Sequence, residues 1–368
     1  MNGSFLQKNL IEGLNKVVHL SNTEKGSLPI LNNILIRAEK GLLYLTSTNL
    51  EIAIKTYIRG KIKEPGSFTV PANIFHTHLN FLNNELLLTV SGDQLSIKHK
   101  RGETKIKGML SEDFPIVPYL EKKNGFKVCG QEIKKTLQQV SSACSSSEIR
   151  PEISGVLFQK NNNQLVLVGT DSYRLVEKKI TLKKTTDKQE KKVKIIVPVK
   201  TCLELLRILN DDDLEIFFSE SQILFSQGST DLISRVVQAD FPSYQEIIPN
   251  NFKTKAVVAK NELIKTIRGV SPFSQSGMND VRLDFFPDKN LIKVSSLNVQ
   301  VGEARLDLPA EIFGKKNTLV FNYRYILEGL NNISGDEVSL ELIDESSPAI
   351  LKSSNEKNFI YLLMPIRS

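Results

Sequence analysis

Apolar residues recur with helical spacing in three short segments, one in each third of the chain. The segments LIEGLNKV from Leu10, IKKTLQQV from Ile133 and LIKTIRGV from Leu263 carry apolar residues at their first, fifth and eighth positions. The spacing i, i+4, i+7 places these residues on one side of an α-helix. The pattern therefore predicts three amphipathic helices at equivalent places in a repeated unit.

A second helical segment recurs in each third, and a two-residue signal precedes it. The segments are ANIFHTHLNFL, VKTCLELLRIL and NYRYILEGL, and a second pair of residues follows each of them at the same interval. The preceding pairs are Val70-Pro71, Val197-Pro198 and Val320-Phe321, and the following pairs are Phe114-Pro115, Phe241-Pro242 and Met364-Pro365. Equal intervals in three places predict three copies of one structural unit.

Strand-like runs lie between the two helical segments of each unit. These runs are NNILIRAEKGLLYLTSTN, GVLFQKNNNQLVLVGTD and VRLDFFPDKNLIKVSSLN, and polar turn residues interrupt each of them. They predict β-hairpins. The polar segments EKKNG and PNNFK separate the units, so the sequence predicts three α+β domains at 1–122, 123–250 and 251–368.

The composition favours a cytoplasmic protein with a polyanionic partner. The formal net charge is +7, and no apolar run approaches the length of a membrane span. The N-terminal segment lacks a secretory pattern, and the three cysteines form no CxxC pair. We therefore expect a cytoplasmic location, with neither disulfides nor zinc. Residues 178–194 are rich in lysine and are expected to form a solvated loop between strands.

Catalytic motifs are scarce. The sequence contains no GxxxxGK[ST], GxGxxG or HExxH pattern, and His76 and His78 diverge on a helix. Asp211, Asp212 and Asp213 form an acidic run that a nuclease could use with a divalent metal, although such runs on turns usually face solvent. We therefore expect no catalytic residue, no metal site and no cofactor.

Four segments resemble a known family. LPILNNILI from Leu28, VGTDSYRLV from Val168, DFPSYQEIIP from Asp240 and the terminal YLLMPIRS are similar to the DNA polymerase III beta subunits, the bacterial replicative sliding clamps. The resemblance spans the whole chain in the same order. It implies three clamp-type domains per chain, with helices lining the inner face of a ring and sheets outside. The ring would be a head-to-tail homodimer around duplex DNA.

The resemblance also implies a pocket for short peptide motifs of the replicative polymerase, the clamp loader and repair proteins. Arg174 and Arg367 would lie at its rim, and the terminal LLMPI is alternatively a buried edge strand. The pocket residues implied are Ile153, Thr170, Ser172, Tyr173, Arg174, Leu175, Pro242, Glu246, Ile247, Tyr325, Pro348, Leu362, Leu363, Met364, Pro365, Ile366 and Arg367. Soft Ile, Leu and Met side chains suit Leu or Phe anchors and modest affinity.

DNA contacts and the subunit interface are implied in the same way. Lys25, Arg150 and Lys200 would face the duplex without reading its sequence. Thr104 and Ile106 of the first domain would meet Pro272 and Phe273 of the third domain of a second copy. The chain departs from the family pattern at Asn73, Thr104, Ser147 and Glu246 and in its positive net charge.

Together these observations predict a sliding clamp that tethers a polymerase to DNA and gives it processivity. Because Thr104 and Pro272 stand at the implied interface, a monomeric peptide-binding adaptor with the same fold is the alternative. A metal-dependent nuclease is a second rival.

Overall fold

Six α-helices form in the part of the chain that the structure describes. The computed structural model describes residues 1–368 except 23–27, 119, 124, 146, 148, 186–192, 354 and 367–368. The helices are α1 Gln7–Val17, α2 Ala72–Asn80, α3 Gly130–Ser141, α4 Val199–Ile208, α5 Lys260–Val270 and α6 Tyr323–Asn332. They lie where the two recurring helical segments predict them, two in each predicted domain.

The described residues also form twenty-seven strands, nine in each predicted domain. The first nine are β1 Asn2–Leu6, β2 Asn33–Glu39, β3 Leu42–Thr48, β4 Ile52–Arg59, β5 Lys61–Glu64, β6 Gly66–Pro71, β7 Glu85–Ser91, β8 Gln94–His99 and β9 Gly102–Lys107. The next nine are β10 Phe126–Val128, β11 Gly155–Asn161, β12 Gln164–Thr170, β13 Arg174–Thr181, β14 Lys184–Thr185, β15 Val193–Pro198, β16 Leu214–Phe218, β17 Gln222–Gln227 and β18 Thr230–Arg235. The last nine are β19 Thr254–Ala259, β20 Asp280–Phe286, β21 Leu291–Asn298, β22 Gly302–Pro309, β23 Glu311–Gly314, β24 Asn317–Asn322, β25 Glu337–Leu342, β26 Ala349–Ser353 and β27 Phe359–Leu363.

The apolar stripes of α1, α3 and α5 are fully buried. All nine positions that define the sequence pattern have a relative exposure of 0%. Burying a Val, Leu or Ile side chain contributes about 1.5–3 kcal/mol, so each stripe anchors its helix to the underlying sheet. The nine positions are Leu10, Leu14, Val17, Ile133, Leu137, Val140, Leu263, Ile267 and Val270.

One strand order occurs three times. The five-stranded set β5-β1-β7-β8-β9 recurs as β14-β10-β16-β17-β18 and as β23-β19-β25-β26-β27. The four-stranded set β4-β3-β2-β6 recurs as β13-β12-β11-β15 and as β22-β21-β20-β24. Each domain therefore contributes one set of each kind, which confirms the threefold α+β architecture.

Two of the five-stranded sets are fused edge to edge with a four-stranded set of the preceding domain. β18 pairs antiparallel with β4, with Leu232 opposite Ile54, and β27 pairs antiparallel with β13, with Tyr361 opposite Val176. Two nine-stranded sheets result. Within the described part of the chain, the five-stranded sheet ending at β9 and the four-stranded sheet ending at β22 keep their corresponding edges unpaired.

Contacts divide the chain into two compact units, and each is described by itself. The first comprises Met1–Lys134, Leu182–Glu190 and Lys200–Val236, and the second comprises Lys135–Thr181, Lys191–Val199 and Val237–Ser368. Each unit contains one nine-stranded sheet and one smaller sheet. Within the described ranges, no helix has the length and apolarity needed to cross a membrane.

The lysine-rich segment 178–194 is only partly the loop that its composition predicts. β13 continues to Thr181, and Lys178 lies within it at a relative exposure of 4%. Its Nζ atom donates to Glu356 Oε1 at 2.6 Å and to Asn358 Oδ1 at 2.8 Å. Because that buried ion pair compensates the charge, the strand extends into the basic run. Residues 186–192 of the predicted loop lie outside the described residues.

Candidate functional site at the turn before β13 and the end of β27

The turn between β12 and β13 is held by its own polar side chains. Thr170 Oγ1 accepts the Ser172 amide at 3.1 Å and donates to the Arg174 carbonyl at 2.7 Å. Asp171 Oδ1 accepts the amides of Tyr173 and Arg174 at 2.9 and 3.0 Å. Ser172 has a φ of +78°, a left-handed conformation that these bonds maintain. The TDSYR segment therefore forms a fixed turn with the Tyr173 side chain 63% exposed.

The buried Arg174 side chain stabilises this turn through hydrogen bonds. Its Nε atom donates to Asp171 Oδ2 at 3.0 Å. The two terminal nitrogens donate to Glu328 Oε2 at 2.6 Å and to the Ser142 carbonyl at 2.8 Å. The guanidinium carbon also lies 4.5 Å from the centre of the Tyr325 ring. Arg174 therefore braces the turn and does not lie free at a rim, which corrects the role expected from the sequence.

The end of β27 adjoins the same turn. β27 lies between β13 and β26, fifth in a nine-stranded sheet, so the alternative of an edge strand is wrong. Leu362 and Leu363 are buried within it. The chain then leaves the sheet, where the Met364 amide donates to the Tyr173 carbonyl at 2.9 Å. The Ile366 amide donates to a carbonyl of β24 at 2.7 Å, so residues 364–366 are held at both ends.

An apolar cluster forms the floor beside this segment. Met364 and Ile248 pack against it while remaining partly exposed. The Tyr244 hydroxyl donates to Glu177 Oε2 at 2.7 Å, and its ring meets Phe241 edge-on with centroids 6.1 Å apart. The buried members are Leu157, Val166, Val168, Leu175, Ile196, Phe241, Tyr244 and Leu362.

Exposed apolar groups surround this floor. Ile247 is 45% exposed, Pro242 is also exposed, and the Tyr173 and Tyr325 rings stack with centroids 6.4 Å apart. Burial raises the pKa of Tyr325 above its usual range, with a further contribution from Asp171. The phenol therefore stays neutral at physiological pH. A surface of this kind can bind apolar peptide side chains without any chemical step.

The other residues expected at this site vary in their surroundings. Ile153 is buried, Pro348 is half-buried immediately before β26, and Glu246 is exposed. Pro365 is half-buried within the 364–366 segment, and Arg367 lies outside the described residues. The sequence did not point to Glu328 or Ser142 as neighbours of the site, because their contacts with Arg174 are long-range. A signal existed for Asp171, which lies within TDSYR, and for Phe241, which lies within DFPSYQEIIP.

Of the residues expected to face DNA, Arg150 adjoins the turn before β13. Arg150 is exposed, and it donates to Ser172 Oγ at 2.8 Å and to Glu152 Oε1 at 2.9 Å. Lys200 is exposed in the first turn of α4, and Lys25 lies outside the described residues.

The residues expected at a subunit interface lie at the two open sheet edges. Thr104 and Ile106 belong to β9. Pro272 and Phe273 lie in a short helical turn after α5. A Cβ atom placed on Gly302, at the start of β22, would be 3.8 Å from Phe273 Cε1, so this ring borders the β22 edge.

The acidic run is not a free carboxylate cluster. Asp213 pairs with Lys183 at 2.5 Å and with Lys127 at 3.5 Å, and Asp212 accepts from Asn210 at 2.9 Å. In the portion of the chain that the structure describes, no group of three His, Cys, Asp or Glu residues is placed to hold a metal.

Known proteins resemble this chain over nearly its whole length. Models of the N-terminal, central and C-terminal domains of the DNA polymerase III beta subunit match residues 1–118, 127–243 and 245–367. The beta sliding clamps of Staphylococcus aureus strain Mu50 and Staphylococcus epidermidis are 27% and 28% identical over 355 residues. Those alignments cover 93% of this chain and 93% of each relative.

Solved structures show the same fold. The DNA polymerase sliding clamp of Bacillus subtilis superimposes with a TM-score of 0.94 at 24% identity, covering 100% of this chain and 99% of the other. The DNA polymerase III subunit beta of Pseudomonas aeruginosa has a TM-score of 0.94 at 25% identity, covering 100% of both chains. The chain therefore belongs to the DNA polymerase III beta subunit family, the bacterial sliding clamps, and acts in DNA replication as a non-catalytic processivity factor.

Proposed function

We propose that two copies of this chain join head to tail into a ring around duplex DNA in the bacterial cytoplasm, at the nucleoid. The observation that carries the proposal is the pair of open edges. Both fused sheets join a five-stranded set to a four-stranded set of another domain, whereas among the described strands β9 and β22 keep the corresponding edges unpaired. Edges left open within one chain suit pairing with a second copy. Residues 1–122, 123–250 and 251–368 would be its three domains.

Equivalent hairpins define the register of such a joint. Thr230 pairs with Gln227 across the β17–β18 turn, and Gly102 pairs with His99 across the β8–β9 turn. Thr230 and Gly102 are therefore equivalent positions at the starts of β18 and β9. The turn after β21 is one residue longer than the turn after β3, and it places Gly302 where Ile52 stands.

In the joint between β18 and β4, Ser234 lies opposite Ile52 and Asp231 lies opposite Lys55. The same register between two copies places Lys105 opposite Glu303 and Glu103 opposite Arg305. The half-buried Thr104 then faces Ala304 between the two charge pairs. Directly opposite side chains of unlike charge stabilise antiparallel strands, so these pairs favour closure. An acid opposite a base already occurs at the equivalent place within the chain, Asp231 opposite Lys55.

Topological retention on DNA tests the ring. With a clamp loader, the protein should remain on a nicked circular duplex and leave after the circle is cut, because the contacts with phosphates are loose. Gel filtration of crosslinked and uncrosslinked complexes before and after linearisation measures this. Light scattering over a dilution series should give twice the chain mass. A single-chain mass at every concentration would support the adaptor, and retention indifferent to DNA ends would indicate plain electrostatic binding.

We also propose that the apolar surface between the TDSYR turn, Ile247 and residues 364–366 holds the peptide motifs of the polymerase and other partners. We name this surface the peptide pocket. It combines a buried apolar floor with exposed apolar sides and few polar groups, which suits exchange among partners.

Replacing Ile247 by Asp should weaken peptide binding by about 30-fold or more, because a charge would enter an apolar contact. Ile247 is preferable to Leu363 for this test because Leu363 is 2% exposed, and a carboxylate there would damage the sheet. Fluorescence anisotropy with a labelled peptide bearing Leu and Phe anchors measures the effect. The control is Ile116→Asp at a side chain that is 96% exposed, and it should bind normally. Affinity within twofold for Ile247→Asp would remove the pocket assignment.

A further inference from the structure

Three lysines surround one aromatic ring on the third domain. The Nζ atoms of Lys289, Lys293 and Lys316 lie 5.9, 5.9 and 4.9 Å from the centre of the Phe286 ring. Among the residues that the structure describes, none of the three ammonium groups forms an ion pair or donates a hydrogen bond. We call these three lysines with Phe286 the lysine patch. Like charges that converge without counter-charges are stabilised by an anionic ligand.

The backbone builds this patch on the outer face of one sheet. Phe286 ends β20 and is half-buried, whereas its neighbour Phe285 is fully buried on the opposite face. Lys316 arrives through a turn at Gly314, which has a φ of +98°. A Cβ atom there would lie 2.0 Å from the Lys253 carbonyl oxygen, so only glycine fits. The position of Lys316 is therefore a defined feature of the fold.

Neighbouring acids leave the patch positive. Asp284 lies opposite Lys293 in the register, but its carboxylate accepts from Arg282 at 3.1 Å and from Thr318 at 2.6 Å. Asp307 also lies opposite Lys293, on β22, without forming an ion pair with it. Asp284 is thus already engaged, Asp307 is not paired with the patch, and the three ammonium groups keep their donors available.

The same face of the sheet continues to the peptide pocket. A cavity of about 470 Å³ is lined by Arg282, Thr318, Val320 and Ile366, and its lining also includes Glu345 and Ser346. Ile366 belongs to the 364–366 segment of the pocket. Lys316 lies four positions before Val320, which is about 13 Å along an extended chain. A peptide anchored in the pocket therefore reaches the lysine patch with roughly four extended residues.

We propose that the lysine patch binds the acidic flank of a partner peptide whose apolar anchors occupy the peptide pocket. The proposal rests on the peptide-binding function of that pocket. A protein segment suits the site better than single-stranded nucleic acid, because ammonium groups already surround the ring on which a base would stack. The cavity lined by Arg282 provides the path between anchor and flank.

Synthetic peptides with identical Leu and Phe anchors test this proposal. In one peptide the flank consists of a four-serine spacer next to the anchors and three aspartates beyond it. In the other peptide the flank consists of seven serines. Each flank is tested at the N-terminal end and at the C-terminal end of the anchors. The acidic flank should tighten binding about tenfold at low salt at one of the two ends, and the gain should vanish near 0.5 M salt. Lys289→Gln, Lys293→Gln and Lys316→Gln together should remove the gain and leave the serine peptide unchanged. The matched control, Lys8→Gln, Lys61→Gln and Lys63→Gln, should keep it.

The outcomes separate the two proposals. If the serine peptide binds and aspartates add nothing at either end, the lysine patch is not a flank site while the pocket stands. A gain that survives the triple lysine variant also overturns the patch. If neither peptide binds, the pocket fails and the patch proposal fails with it. Displacement of the acidic peptide by a short oligothymidylate, in wild type but not in the triple variant, would make the patch a nucleic-acid surface instead.

Discussion

Exchanging the charges of one sheet edge is expected to abolish the dimer. Glu303→Lys with Arg305→Glu places lysine opposite Lys105 and glutamate opposite Glu103 in the proposed joint. In the free chain Glu303 contacts Arg305 and Glu103 accepts from Ser96, so both edges stay folded while the joint is lost. Like charges directly opposite each other cost several kcal/mol across an interface. We therefore expect the dissociation constant of the dimer to rise by at least about 100-fold. Analytical ultracentrifugation measures it.

The complementary exchange provides the control. Glu103→Lys with Lys105→Glu should also yield a monomer, and a chain with all four changes should dimerise again. All these variants keep the formal net charge of +7. Mixing the two double variants should produce a heterodimer, because each of its two joints then pairs unlike charges. A β22 variant that dimerises as tightly as wild type, or a fourfold variant that stays monomeric, would exclude this register.

The second large effect is expected inside the second unit, at a buried carboxylate. Glu356 is 6% exposed and accepts from Lys178 and Lys135, each at 2.6 Å. Glu356→Gln would leave the Lys178 ammonium buried without a counter-charge, at a cost of about 3–5 kcal/mol. Thermal unfolding followed by circular dichroism is suitable, since the chain has no tryptophan. The exposed Glu345→Gln should change stability by less than about 0.5 kcal/mol.

The same carboxylate predicts a dependence on pH. Burial raises the pKa of Glu356, but the hydrogen bonds from Lys135 and Lys178 outweigh it and lower the pKa from 4.5 to about 2. The unfolded chain therefore binds this proton more readily than the folded chain. The contribution of Glu356 to the free energy of unfolding is fully present above pH 4.5. It is lost as the pH falls towards 2, which lowers stability by about 3 kcal/mol. Glu356→Gln should lack that component, and an unchanged acid slope would exclude Glu356 as its source.

The sequence predicted what depends on local periodicity. The stripe of Leu10, Leu14 and Val17 and its two counterparts are buried because helical spacing alone decides which face meets a sheet. The hairpins also follow from local patterns, as β11 pairing with β12 illustrates. The six helices and the repeat therefore needed no structural information.

Long-range pairing was not predictable in this way. β27 is an interior strand because it joins β13, and no local pattern of Phe359–Leu363 distinguishes an interior strand from an edge. Lys178 lies in β13 and not in the expected loop, because its counter-ion, Glu356, is remote in sequence. Arg174 is buried and not at the expected rim for a similar reason, since its partner Glu328 lies on α6. In each case the contact that determines the structure joins two predicted domains, and no local sequence pattern indicates that contact.

The two open edges differ from each other, and this has a consequence for assembly. When the β9 edge of one copy joins the β22 edge of the next, an open row of copies has a free β9 edge at one end and a free β22 edge at the other. Association therefore ends only when the last copy meets the first. Whether that happens is a matter of the rotation between successive copies and not of the charge pairs that join them. A substitution that tilts the joint without weakening it would therefore turn closed rings into filaments, and such a change would be visible by negative-stain microscopy before any loss of affinity.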